Sequence, residues 1–174
     1  NLEEISEISK KYNLIILSDE IYSELSFNDN YRSISNLCPE RTIISTGLSK
    51  WCGAGGWRLG YFVVPKNLET IKNKINVLAS ETFSAVSAPI QFAAIHAYEG
   101  DFSNYIKLSR NILKSVGSYA YKNLSSNNIV MNKPQGGFYL MPEFINTKFS
   151  SSSEMCKNIL KETGVALLPG SDFG

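Results

Sequence analysis

Histidine is almost missing from this sequence: His96 stands alone in 174 residues. A histidine metal centre needs companion ligands, so His96 reads as a structural residue, partly buried in a helix among Ala93, Ala94 and Ile95. Cysteine is scarce too, and Cys38, Cys52 and Cys156 lie far apart with no Cys-x-x-Cys pair. That spacing excludes the usual zinc modules, and no metal site is expected. An odd, scattered set of thiols is expected to stay reduced, which points to a cytoplasmic compartment. Net charge is close to nil, at +1, giving no reason to expect a nucleic-acid or membrane partner. No apolar run approaches the roughly 20 residues that cross a bilayer. Internal repeats are absent, and the serine run at 150–153 is too short to count as low complexity.

What is present is the balance of a globular chain, 43% hydrophobic and 19% charged, long enough for one domain or parts of two. Leu2, Ile5, Ile8 and Tyr12 fall near helical spacing from the first residues. Leu14-Ile15-Ile16-Leu17 follows as a continuous apolar run, the pattern of a strand buried on both faces of a parallel sheet. Thr42-Ile43-Ile44-Ser45-Thr46 is a second run, and Leu59-Gly60-Tyr61-Phe62-Val63-Val64 a third, stopped by Pro65. Helices are predicted through Leu68–Leu78, from about Pro89 to Tyr98, and over about 102–124. Short strands are expected at 129–131, 137–141 and 165–168, with a serine-capped helix between the last two, closed by Gly164.

Strands and helices alternate at first, and the texture shortens later. The expected fold class is therefore α/β with a mainly parallel sheet, followed by a smaller α+β unit. We place the division at residues 1–104 and 105–174. The mid-helix opening and the closing turn Pro169-Gly170-Ser171-Asp172-Phe173-Gly174 read as an internal segment of a longer protein.

Chemistry concentrates in Gly47-Leu48-Ser49-Lys50-Trp51-Cys52-Gly53-Ala54-Gly55-Gly56-Trp57-Arg58-Leu59-Gly60. So many glycines do not suit a helix interior; they suit backbone that turns tightly or approaches a bound group. A lysine at the mouth of a sheet, near a fixed cation, can become a usable amine, and arginine is shaped to hold phosphate through paired hydrogen bonds. Upstream, Ser18-Asp19-Glu20-Ile21-Tyr22 closes the first strand, and carboxyl ends of parallel strands are where α/β proteins bind ligands. Taken singly, Ser49-Lys50 reads as a solvated loop, and so does Asp19-Glu20.

Together the two segments resemble the class I/II aminotransferases of the fold-type-I pyridoxal-phosphate enzymes. The lysine string meets that family's pattern at Gly47, Leu48, Ser49, Lys50, Gly53, Ala54, Gly56, Arg58, Leu59 and Gly60. Pro134-Gln135-Gly136-Gly137-Phe138-Tyr139 is similar to its Pro-x-Gly-Gly-Phe-Tyr segment, taken as the start of a small-domain strand, with Phe138 and Tyr139 as core aromatics. Residues 169–174 are similar to its Pro-Gly-Ser-x-Phe-Gly loop, and Ser87-Ala88-Pro89-Ile90-Gln91 to a helix entry.

The resemblance implies a cofactor, pyridoxal 5'-phosphate (PLP), bound to Lys50 as a Schiff base. Lys50 would also be the catalytic proton carrier. Asp19 would pair with the pyridinium nitrogen, Tyr22 would hydrogen-bond the ring's phenolic oxygen, and Arg58 and Ser49 would hold the phosphate. Many relatives carry serine where this chain has Gly47. Trp51, Trp57 and Cys52 are expected to pack around the loop. The implied substrates are a small-molecule amino acid and a 2-oxo acid, and the full-length protein is implied to be a homodimer. Site parts from an N-terminal half, and an arginine beyond residue 174 for the substrate carboxylate, would lie outside the chain. The 174 residues alone are therefore expected to be inactive. A β-eliminating lyase of the same fold, or a domain that keeps the fold without catalysis, are the alternative readings.

Overall fold

The structure is a computed structural model, and it describes residues 1–28 and 31–174. The chain divides into two compact units. The first comprises Asn1–Leu113 with Gln135–Gly137, the second Lys114–Pro134 with Phe138–Gly174.

The first unit opens with helix α1, Leu2–Lys11, capped by the Asn1 side chain and carrying acids in its first turn and lysines in its last. That charge order complements the helix dipole. Asn13, at φ 53°, turns the chain into strand β1, Ile16–Asp19. Strand β2, Thr42–Gly47, pairs parallel to it, and β3, Gly60–Val63, pairs antiparallel to β2. The sheet is thus mixed, in the order β1-β2-β3. Helices α2, Glu69–Thr82, and α3, Ala88–Glu99, follow, and α4, Ser103–Leu124, runs from the first unit into the second.

The expectation that the first strand is covered on both faces is corrected. Burial alternates along β1, and Leu17 is 65% exposed. The strand also starts two residues later than the apolar run, because Leu14 N–H donates back to Ser9 in the helix turn.

The main core of the first unit forms around the lysine segment. Leu48, Trp51 and Ala54 from that loop are buried with Leu25 and with Ala94 and Ala97 of α3. Small residues on α3 let the loop backbone sit close. Leu48 is fully buried, worth roughly 1.5–3 kcal/mol relative to exposure. A second buried group, Ile34, Cys38, Thr42 and Ile43, anchors the start of β2.

In the second unit, β4, Ile129–Val130, pairs antiparallel with β5, Glu143–Phe144. Helix α5, Ser152–Thr163, is capped by Ser151 and closed by Gly164 in the left-handed conformation. The strands expected at 137–141 and 165–168 do not form. Gly137, at φ +62°, breaks the first run, and neither segment has a ladder partner among the described residues. Extended sequence becomes a strand only where its backbone groups find a neighbour. Phe138 and Tyr139 are half exposed rather than core, stacked on each other at 4.9 Å between ring centres.

All three cysteines are free thiols. His96 is exposed rather than partly buried, its ring edge-on to Phe102. Among the described residues no cluster could hold a metal ion, and no helix is long and apolar enough to cross a membrane.

Candidate active site

Parallel pairing puts the carboxyl ends of β1 and β2 side by side, with Asp19 opposite Ser45. Antiparallel pairing then brings the start of β3 back to the end of β2, with Gly47 opposite Gly60. Residues 48–59 are therefore a loop closed at its base, reinforced by hydrogen bonds from Leu48 N–H to Leu59 O and from Ala54 N–H to Leu48 O. Ser49, Lys50 and Arg58 belong to this loop, and Asp19 stands at the neighbouring strand end.

Closure depends on Gly47. A Cβ there would lie 2.5 Å from Leu59 O and 2.9 Å from Gly60 Cα, contacts that real side chains do not make. The glycine is thus required here by the approach of β3. Gly55 and Gly56 differ, since their only neighbour within reach is Ser49 O, 3.6 Å from Gly55. They leave open space on the loop surface.

Lys50 is half-buried, and its Nζ lies 5.5 Å from the centre of the Tyr22 ring. This is within the range where an aromatic face attracts a cation. Tyr22 in turn packs on Gly137, whose added Cβ would sit 3.5 Å from the ring. Asp19 is exposed, and its Oδ1 accepts from Ile21 N–H at 3.2 Å, so the carboxylate fixes its own turn. Arg58 is exposed and left-handed, at φ 55° and ψ 41°. Its guanidinium donates to Gly55 O at 2.8 Å. Ser49 is half-buried beside Lys50. Tyr22 and Lys50 are thereby brought into contact, Asp19 is placed at the same sheet edge, and Arg58 is turned toward the Gly55 carbonyl.

Trp51 fixes the loop from below. It is buried and packs on Tyr98 and Phe102 at 5.8 and 6.4 Å between ring centres. Tyr98 also meets Tyr61 of β3 edge-on at 5.6 Å. Burial, with the Tyr61 hydrogen bond behind it, pushes the Tyr98 phenol well up. Trp57 is 43% exposed, and Cys52 packs at the core margin.

Three features were not anticipated from the sequence. Residues 135–137 do not start a small-domain strand; Gly136 bridges Ser26, and Phe27 N–H donates to Gln135 O at 2.8 Å. This pairing clamps the chain just after Tyr22. Arg110 of α4 donates to Glu24 O at 2.6 Å and pairs with its carboxylate at 3.4 Å. Glu20, for which the sequence carried no specific expectation, is buried. The one clue was its parity, since residues alternate faces along a strand and Glu20 follows Ile16 and Ser18 inward.

The model of the family described as "Aminotransferase class I and II" matches residues 1–174. The chain belongs to that family. Among curated members, it is 33% identical to a probable N-acetyl-LL-diaminopimelate aminotransferase of Bacillus subtilis, over 99% of this chain and 42% of that protein. It is 36% identical to an aspartate aminotransferase of Bacillus sp. (strain YM-2), over 99% of this chain and 45% of the relative. Among solved members, the alanine aminotransferase of Pyrococcus furiosus superposes with a TM-score of 0.89 at 35% identity, over 99% of this chain and 45% of that one. An aromatic aminotransferase of Pyrococcus horikoshii gives 0.88 at 31%, over 99% and 46%. The chain thus spans less than half the length of these class I/II aminotransferases, and its fold is that of fold type I.

Proposed function

We propose that this segment is the cofactor-holding part of an enzyme that moves an amino group from an amino acid to a 2-oxo acid, with PLP as cofactor. The observation that carries this reading is Lys50 Nζ over the Tyr22 ring, in a loop whose closure sets it beside the strand end bearing Asp19. The donor set fits PLP: an amine, a carboxylate, a phenol and a guanidinium meet an aldehyde, a pyridine nitrogen, a ring oxygen and a phosphate. The open surface at Gly55 and Gly56 gives a phosphate room to approach backbone N–H groups.

When bound, PLP supplies an electron sink for charge developing at the substrate Cα. Asp19 would keep a proton on the pyridine nitrogen, Tyr22 would donate its hydroxyl to the ring oxygen, and Arg58 with Ser49 would hold the phosphate. Taking the phosphate requires the Arg58 guanidinium to exchange its Gly55 carbonyl partner for a charged one, and charge-assisted bonds are the stronger. Lys50 Nζ would hold the group covalently and, once free, would be the base placed to take the proton from the substrate Cα. In this reading residues 1–104 belong to a large cofactor-binding domain and 105–174 to a small one. The full-length protein is a homodimer, and its three free thiols fit a cytoplasmic setting.

Lys50→Ala in the full-length protein should abolish the visible absorbance of lysine-bound cofactor and lower transamination by several orders of magnitude. Absorbance that persists after this change would remove Lys50 from its role. Pyruvate and ammonia released from an amino acid without a 2-oxo-acid acceptor would favour elimination instead.

A further inference from the structure

Among the described residues, Glu20 is the one buried charged side chain, 8% exposed, and the chemistry proposed above makes no use of it. Burying a carboxylate is costly unless its oxygens are hydrogen-bonded. Here Oε1 accepts from Ser33 Oγ at 2.5 Å and from Ser18 Oγ at 3.1 Å. The Tyr31 phenol stands near this carboxylate, and burial together with Glu20 pushes the phenol up to about 12. Ser33 spends its one hydroxyl proton on Glu20, so in the 2.7 Å Ser33–Ser35 pair the proton must come from Ser35. Ser35 N–H donates to Ser33 Oγ as well. Glu20 thus ends a directed chain of donors reaching from the 33–36 turn into the back of the sheet.

The backbone of Glu20 is held equally. Its N–H donates to Ser45 O of β2 at 2.8 Å, and its carbonyl accepts from Ser23 N–H at 3.0 Å. Asp19 is exposed and Glu20 buried, so the two carboxylates leave the strand end in opposite directions. An apolar side chain of similar volume could fill the Glu20 site without desolvating a charge, often at no loss of stability. What the carboxylate adds is direction, because two hydroxyls from two segments, Ser18 and Ser33, converge on it.

We propose that Glu20 is a positioning residue, whose buried carboxylate, gripped by Ser18 and Ser33, fixes the turn that presents Asp19 and Tyr22. The proposal rests on the PLP reading above for what Asp19 does, but not for how its turn is held.

The test is a double-mutant cycle in the full-length protein, read as PLP dissociation constants, with amide exchange measured in the cofactor-free form. Glu20→Leu should weaken PLP binding roughly tenfold in the wild-type background and less than about twofold beside Asp19→Asn, since coupled residues are non-additive. Glu20→Gln, which keeps an acceptor oxygen for the serines, should restore most of the affinity. The amide of Ile21, which bonds Asp19, should exchange faster in Glu20→Leu than in wild type. Should Glu20→Leu fail to fold, Ser33→Ala removes the shortest bond from a half-buried site, and a roughly threefold loss, again absent beside Asp19→Asn, is expected. Equal losses in both backgrounds, or an Ile21 amide that exchanges as in wild type, would overturn the proposal. If the wild-type protein takes up no PLP, the functional reading fails while the exchange measurement still judges Glu20.

Discussion

A methyl group at Gly47 would collide with the main chain of β3, 2.5 Å from Leu59 O. The backbone there must move, and overpacking of this kind costs about 1–3 kcal/mol. Gly47→Ala should lower the urea midpoint by that equivalent, and an unchanged midpoint would mean that β3 gives way freely. Arg58 poses the opposite problem, a long side chain in left-handed backbone. Non-glycine residues in this region are uncommon and cluster where surrounding structure over-determines them. Here the Gly55 carbonyl and the Gly47–Gly60 pair do so. Both residues carry chemical signals that sequence displays openly. The close approach at Gly47 depends on a strand that starts thirteen positions later, which no local pattern shows.

Helix α5 joins sequence signals to a titration. Ser151 accepts from Glu154 N–H at 3.1 Å, and the Glu154 carboxylate accepts from Ser150 N–H and Oγ at 3.0 and 2.6 Å. This is a variant of the capping box. Both Ser150 bonds favour the charged carboxylate and hold its pKa below the ordinary 4.5. The bonds are therefore intact above that range and lost as pH falls through the lowered value. An NMR titration should place the Glu154 midpoint below 4.5, with the Ser150 amide moving in step; a midpoint at or above it would contradict the contact. Elements of this kind, the α5 caps and the periodic helices, were legible from the sequence, as was β2. The 137–141 and 165–168 runs were misread because a strand is a property of two segments. The burial of Glu20 was not legible because it is decided by a hydroxyl 13 residues away, that of Ser33.

The chain exposes 12528 Å². Two separate compact bodies sharing its mass would expose about 10,000 Å² in total, whatever their arrangement. Much of the excess is apolar: Leu17, Val77, Leu78, Phe92, Leu108 and Ile112 are each more than 60% exposed. Surface of this character marks contact sites or aggregation liabilities. Expressed alone, the 174-residue polypeptide should bind a hydrophobic dye strongly, self-associate in sedimentation, and show no transamination. A monodisperse, dye-silent, active preparation would contradict this. The closed loop between Gly47 and Gly60 also sets a rule for descent. Gaining or losing one residue near Arg58 would either bulge the loop or slip β3 by one place, turning each of its side chains to the other face. The spacing from Gly47 to Gly60 is thus fixed by strand pairing as a length, independently of which side chains the loop carries.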